Sequence, residues 1–357
     1  MRVNLALQGG GAHGAFTWGV LDRLLEENTL EIGWVSATSA GAVNAAALAA
    51  GLVDGPEAAR TKLRDVWHAV HKAGVPDLVR LNPFLYGLSK SASMLPVTSL
   101  MSPYDFNPLD FNPLRRLLNE HIDFARLREK SPVELLIAAT AVADGRLKLF
   151  RRRELTAEMV LASACLPTLH HAIDVDGAAY WDGGFSANPD LVNLAEQSPT
   201  RDTLIVQLSP LVVEGLPTGV KDIGSRVNRM TFNAPLLRDV TVIETARAAG
   251  GGLFGPRGRV GELARHRFHL IEAGRYTSVL SPDSKMKPEL AMLTYLHGAG
   301  RTEAHKWLER NRRHVGHRSS VDLAAHFLNP RPPAPAVTQM RPVLGDDEAP
   351  PSTAARG

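Results

Sequence analysis

The first fourteen residues restrict this chain more than any other segment. Residues 3–8, VNLALQ, form a largely apolar run that stops abruptly at Gly9-Gly10-Gly11-Ala12-His13-Gly14. A short apolar run bounded by glycine reads as a strand buried on both faces, as parallel sheets require. From Gly14 the spacing changes, and Phe16, Val20, Leu21, Leu24 and Leu25 recur as one face of a helix. A second apolar run, Ile32 to Ser36, leads into an Ala-rich stretch from Ala40 to Leu52 with high helix propensity. The chain therefore opens as β-α-β-α.

Both strand-to-helix junctions carry chemistry. In the first, glycines let backbone approach a ligand closely, and free N–H groups at a helix start stabilise negative charge. The string also matches the G-x-G-x-x-G dinucleotide fingerprint, which expects an acidic residue at the end of the second strand. Here that strand ends at Ser36-Ala37-Thr38-Ser39, and the nearest acid, Glu31, precedes it, which argues against a nucleotide. At the second junction, Ala37-Thr38-Ser39-Ala40-Gly41 is similar to the nucleophile elbow G-x-S-x-G with alanine in its first position. Small neighbours allow a sharp turn that lifts the serine hydroxyl clear of the backbone. The same string by itself is also that of a serine capping an Ala-rich helix.

Downstream, Pro56 and Gly74 bracket a third helix. Residues 75–113, with six prolines among Phe84, Leu85, Tyr86, Met94, Leu95, Leu100 and Met101, read as a loop-rich insertion. It is either packing over the core or a mobile apolar lid. Strands follow at Val133–Val142 and Leu147–Phe150 around the turn Asp144-Gly145, then a short helix capped by Thr156 and ending near Cys165. A hairpin, 173–175 and 179–181, runs directly into Asp182-Gly183-Gly184. A buried strand at Thr203–Leu208, helices over 219–249, a strand at 267–272 and helices within 288–326 complete the periodic part. The Pro-rich remainder, 328–357, reads as a disordered tail behind a single catalytic domain of residues 1–327.

A glycine-rich loop, an early serine elbow and a later Asp-Gly-Gly occur here in order. Together with the block Ala162-Ser163-Ala164-Cys165-Leu166-Pro167, they resemble the patatin-like phospholipase family over roughly residues 3–210. The resemblance implies a three-layer α/β/α fold with a mostly parallel central sheet. It also implies a serine lipid acyl hydrolase that works through a Ser-Asp dyad and an acyl-enzyme intermediate, without histidine. Carried over to this chain, Ser39 is the nucleophile, Asp182 the general base, and Gly10 and Gly11 the oxyanion donors, with the Ala40 N–H in addition. The chain departs from the family pattern at Ala37, where the elbow has glycine, and at His13, where the loop usually has Lys or Arg. Without that permanent cation, neutral esters become more plausible substrates than anionic phosphate headgroups, and His13 reads as a hydrogen-bonded anchor for the loop.

Composition narrows the remaining choices. Lys plus Arg number 40 against 37 Asp plus Glu, a net +3 that does not indicate nucleic acid and leaves only a weak attraction to anionic membrane surfaces. One cysteine, Cys165, allows no internal disulfide and favours a reducing, cytoplasmic location, with contact at the inner membrane surface if any. No apolar run reaches the length of a transmembrane helix, so lipid is expected to be met from the water side. His170-His171 lacks the spacing and companions of a zinc site, and no metal or organic cofactor is expected. Arg151-Arg152-Arg153 and the basic stretch 310–318 read as solvated faces. Two other readings stand beside hydrolysis: a catalytically silent lipid-binding or regulatory module, and an acyltransferase or polyester depolymerase using the same dyad. The oligomeric state stays open.

Overall fold

The computed structural model describes residues 1–73, 102–249 and 258–330. Most of the expected insertion, and nearly all of the Pro-rich tail, lie outside these residues.

Strand β1 (Arg2–Leu7) occupies the centre of an eight-stranded sheet. It pairs in parallel with β2 (Glu31–Ala37) on one side and with β7 (Asp202–Gln207) on the other. Beyond β2 comes β3 (Glu134–Ala141), parallel to it, and beyond β7 comes β8 (Arg267–Glu272), also parallel. The antiparallel part gathers on β3, which pairs with β4 (Leu147–Arg151) and β6 (Ala178–Asp182). Strand β5 (Ile173–Val175) closes the hairpin with β6. The order is β5-β6-β3-β2-β1-β7-β8, with β4 on β3.

Side-chain alternation along β1 divides the core in two. Val3, Leu5 and Leu7 point into one layer, where they meet α1 (Ala15–Leu25), α2 (Ala40–Gly51) and α3 (Pro56–Lys72). The peripheral helices α4 (Pro103–Phe106), α5 (Pro113–His121), α6 (Phe124–Lys130) and α7 (Ala157–Ser163) extend the chain beyond these. Ala6 points the other way, into a cluster with Leu191 and Leu194 around α8 (Val192–Gln197) and with Leu236, Val240 and Ile243 of α9 (Val220–Ala249). Leu263 of α10 (Gly258–Arg265) joins that second layer. After the short α11 (Gly274–Thr277), α12 (Leu290–Asn311) returns to the first layer and crosses α1. There a side chain on Gly19 would fall 2.0 Å from the His297 carbonyl, and one on Gly300 would fall 2.1 Å from that of Phe16. Burial on both faces explains why β1 is apolar at consecutive positions instead of alternating. The result is the expected three-layer α/β/α arrangement about a mostly parallel sheet.

Candidate active site

The C-terminal ends of the parallel strands, where open α/β sheets place their sites, collect the sequence-predicted residues. Strand β2 ends at Ala37 and α2 begins at Ala40, so the chain reverses over Thr38 and Ser39. Ser39 pays for this turn with φ 56° and ψ −125°, backbone that a non-glycine residue rarely adopts. Two glycines make room for it. A Cβ on Gly41 would lie 2.3 Å from the Leu7 carbonyl oxygen, and one on Gly9 would lie 2.7 Å from the Ser39 Cβ. Ala37 is still in strand conformation, so its methyl group costs the turn nothing. The Ser39 side chain makes no hydrogen bond to the helix N–H groups. It is held as an elbow and does not cap α2.

Register along β3 brings Asp182 to this serine. Ala37 lies opposite Ile137, and Asp182, the last residue of β6, lies opposite Ala139 two positions further on. A Cβ on Gly183 would meet the Ala138 carbonyl oxygen at 2.1 Å, so only glycine lets the chain leave β6 this close to β3. Asp182 is fully buried, its N–H donates to the Cys165 carbonyl at 2.8 Å, and its own carbonyl accepts from the Thr140 hydroxyl at 2.9 Å. In the carboxylate, Oδ1 accepts from the Gly184 N–H at 2.8 Å, whereas Oδ2 has no hydrogen-bond partner. Burial pushes this carboxyl up to about 7, opposed by the Gly184 N–H and by the Ser39 hydroxyl. The hydroxyl is thus near enough to favour the carboxylate but does not make a hydrogen bond of ordinary geometry with Oδ2.

The glycine-rich loop forms the opposite wall. Gly9 donates to the Asn188 side chain at 2.8 Å, Gly10 is extended, and Gly11 turns at φ +57° into a 3-10 turn over Gly11–Gly14. Gly14 packs against Ala40, where an added Cβ would come within 2.8 Å of the alanine methyl. Among the described residues, the N–H groups of Gly10, Gly11 and Ala40 donate to no protein acceptor. Ala12 is buried within the loop. His13 is also buried, and its Nε2 lies 2.7 Å from the Ser284 hydroxyl. Burial, followed by the charges of Lys285 and Arg229, pulls the imidazole down to about 3 and keeps it neutral.

Sequence reasoning left three participants without a role. Ser163, noticed only as part of a block, accepts the Ser39 N–H at 2.9 Å. Asn188 bridges Gly9 to the Phe232 carbonyl. Lys285 packs its backbone against Gly11. Nothing local to Asn188 or Lys285 marks either one. His171 stacks on Tyr104 at 4.0 Å, and among the described residues no group of His, Cys, Asp or Glu is arranged to hold a metal. No helix among them is long and apolar enough to cross a membrane.

These parts bring together a hydroxyl on a strained turn, a desolvated carboxylate with one open oxygen, and unengaged backbone N–H groups beside them. A family model described as Patatin-like phospholipase matches residues 5–194. No curated protein matches the chain. Among solved structures it is similar to VipD from Legionella pneumophila at 18% identity and a TM-score of 0.41, over 86% of this chain and 66% of that one. It is also similar to the type III effector ExoU at 16% identity and a TM-score of 0.32, over 87% and 53% of the two chains. A third similarity, to ExoU in complex with SpcU from Pseudomonas aeruginosa, has 20% identity and a TM-score of 0.27 over 73% and 52%. The chain spans less than two thirds of the length of each of these solved chains.

Proposed function

The chain belongs to the patatin-like phospholipase family, a membership that supports lipid hydrolysis, and from that premise we propose a serine acyl hydrolase that cleaves carboxylic esters of lipids. Ser39 is the nucleophile and Asp182 its general base. The observation that carries the reading is the open Oδ2 of buried Asp182, with the uncapped Ser39 hydroxyl in approach to it.

As the Ser39 Oγ attacks the ester carbonyl carbon, its proton passes to Asp182 and the carbonyl oxygen takes the negative charge. The N–H groups of Gly10, Gly11 and Ala40, which donate to no acceptor among the described residues, stabilise that charge. Collapse of the tetrahedral intermediate breaks the carbon–oxygen bond, and the leaving alcohol takes the proton from Asp182. Water then attacks the acyl-serine, Asp182 receives its proton and returns it to the Ser39 oxygen, and a carboxylic acid leaves. A carboxylate is ordinarily a weak base, with a reference pKa of about 3.9. Burial raises this one to a value suited to general-base work near neutral pH. We assign this activity to residues 1–327 as one catalytic domain. The single thiol, Cys165, is unpaired and buried, which suits a reducing compartment.

The test measures ester hydrolysis and fluorophosphonate labelling in wild type, Ser39→Ala and Asp182→Asn. Both variants are expected to lose roughly 1,000-fold or more in kcat, and Ser39→Ala to lose all labelling. Undiminished hydrolysis by Ser39→Ala would overturn the assignment. Labelling of wild type at Ser39 with no cleavage of any ester would instead favour acyl transfer or a silent binding module.

A further inference from the structure

The long helix α9 turns apolar side chains to water over its first half. From Leu236 onward it is an ordinary surface helix: Leu236, Val240 and Ile243 are buried, while Arg238, Thr241 and Thr245 face solvent. Before that the pattern inverts. Val220 is 88% exposed, Ile223 45%, Val227 56% and Met230 64%, whereas Arg226 and Arg229 are half-buried. At about 100° per residue, these four apolar side chains fall within an arc of about 80°, so they form one continuous stripe.

Both ends of the stripe are fixed. At the outer end, the Arg226 guanidinium donates to the Glu214 and Gly215 carbonyls at 3.4 and 3.1 Å, and Gly215 turns the chain at φ +77°. The preceding loop is thereby tied back to α9, with Leu216, four residues before Val220, 86% exposed. At the margin, the Thr231 hydroxyl donates to the Val227 carbonyl at 3.0 Å. The inner end reaches the active site. Two positions beyond Met230, Phe232 covers Gly184 next to Asp182, and its ring lies 4.9 Å from that of the exposed Phe185.

Length and charge decide what this stripe meets. From Val220 to Met230 it runs for about three helical turns, whereas a coiled-coil seam needs about three or four heptads, so a partner helix finds too little to grip. Over residues 216–238 the chain carries Lys221, Arg226, Arg229 and Arg238 against Asp222 alone. An apolar stripe on a helix rich in Lys and Arg is the pattern of a helix that lies in the headgroup layer of an anionic lipid surface.

We propose that Leu216, Val220, Ile223, Val227 and Met230 dock this protein on an anionic lipid surface, which sets the Ser39–Asp182 cleft against aggregated substrate. This rests on the reading of lipid esters as substrates. It places membrane contact on α9, outside the insertion expected to provide it.

The test has a binding arm and a turnover arm, both on the full chain. In the first, Ser39→Ala protein, which leaves the lipid intact, is co-sedimented with vesicles of phosphatidylglycerol and phosphatidylcholine. Adding Val227→Glu and Met230→Glu together should weaken binding about tenfold or more. Val242→Glu, at an exposed position further along the same helix, should bind as the parent does. Tryptophan emission of Met230→Trp should shift to the blue when the vesicles are added. Unchanged binding by the double variant would overturn the proposal, as would an equal loss in Val242→Glu or an unshifted emission. Equal binding to phosphatidylcholine alone would overturn the assignment of an anionic surface.

In the second arm, the double variant in the Ser39 background should hydrolyse vesicle phosphatidylglycerol about tenfold less well, through apparent KM, and a soluble butyrate ester at the wild-type rate. Equal losses on the two substrates would mean a damaged fold and overturn the proposal. A wild-type dimer that the double variant dissolves, with vesicle binding intact, would assign the stripe to a second copy of the chain instead. If Ser39→Ala still turned over, the catalytic reading would fail, while the binding arm would still judge the surface.

Discussion

The backbone N–H of Ser39 donates to the hydroxyl oxygen of Ser163 at 2.9 Å. Ser163 is fully buried at the end of α7, so the strained elbow is held from outside its own motif by a residue more than a hundred positions away. Ser163→Ala would leave that part-buried N–H without its partner, a loss of about 1 kcal/mol. Urea unfolding should register a loss of that size. Because the turn would also loosen, kcat is expected to fall about tenfold with KM little changed. A variant with wild-type kcat would show that the elbow holds its shape without this bond.

Gly9 and Gly224 provide a contrast in what a methyl group does. At Gly9 the added carbon would sit 2.7 Å from the Ser39 Cβ, against a turn that cannot retreat, whereas at Gly224 of α9 it meets nothing within 4 Å. Gly9→Ala is expected to cost about 1–3 kcal/mol by overpacking and to reduce fluorophosphonate labelling of Ser39 sharply. Gly224→Ala should stabilise by up to about 1 kcal/mol through helix propensity. Labelling rates and melting temperatures of the two variants separate these outcomes.

The buried Asp182 carboxyl should govern the pH profile. With its pKa raised to about 7, the proposed base is protonated in acid, so kcat/KM should rise about tenfold per pH unit below 7 and level off above it. Stability runs the opposite way. A carboxyl whose folded pKa exceeds its unfolded value binds more protons when folded, so its contribution is present at low pH and is lost as pH rises through about 7. Asp239, also raised to about 7 by burial and then by Asp190, adds a trend of the same sign. The informative quantity is therefore the difference between Asp182→Asn and wild type, which should move in favour of the variant between about pH 4 and pH 8. A constant difference would contradict the raised pKa.

Cys165 should be chemically silent in the folded protein. Burial, and then the Asp182 charge, pushes its thiol up to about 12, so almost no thiolate exists at neutral pH. An aromatic disulfide reagent is expected to release its chromophore only when the chain is unfolded in guanidinium. Fast reaction in native buffer would mean that the floor beneath Asp182 opens readily.

The β-α-β-α opening was legible because each element repeats with its own short period, and β1 and α1 were placed correctly to within a residue or two. The hairpin before Asp182 and the helix capped by Thr156 were legible for the same reason, since their turn and cap residues act on their immediate neighbours. Ser163 and Asn188 were not. Each acts on a backbone group far along the chain, and neither carries a local signal of that role.

Taken by itself, then, the sequence determined the elements, the two glycine-bearing junctions, and Ser39 and Asp182 as the candidate dyad, because these follow from patterns within a few residues. Only the tertiary structure decided that Ser39 is an uncapped elbow and that Asp182 lies two positions along β3 from the end of β2 with one oxygen open. It also decided that Lys285 packs against the loop in which His13 is buried and neutral. Burial, strand register and the neighbours of a charge are set by segments that meet only on folding, and these quantities fix the pKa of a base and the sign of the field around it.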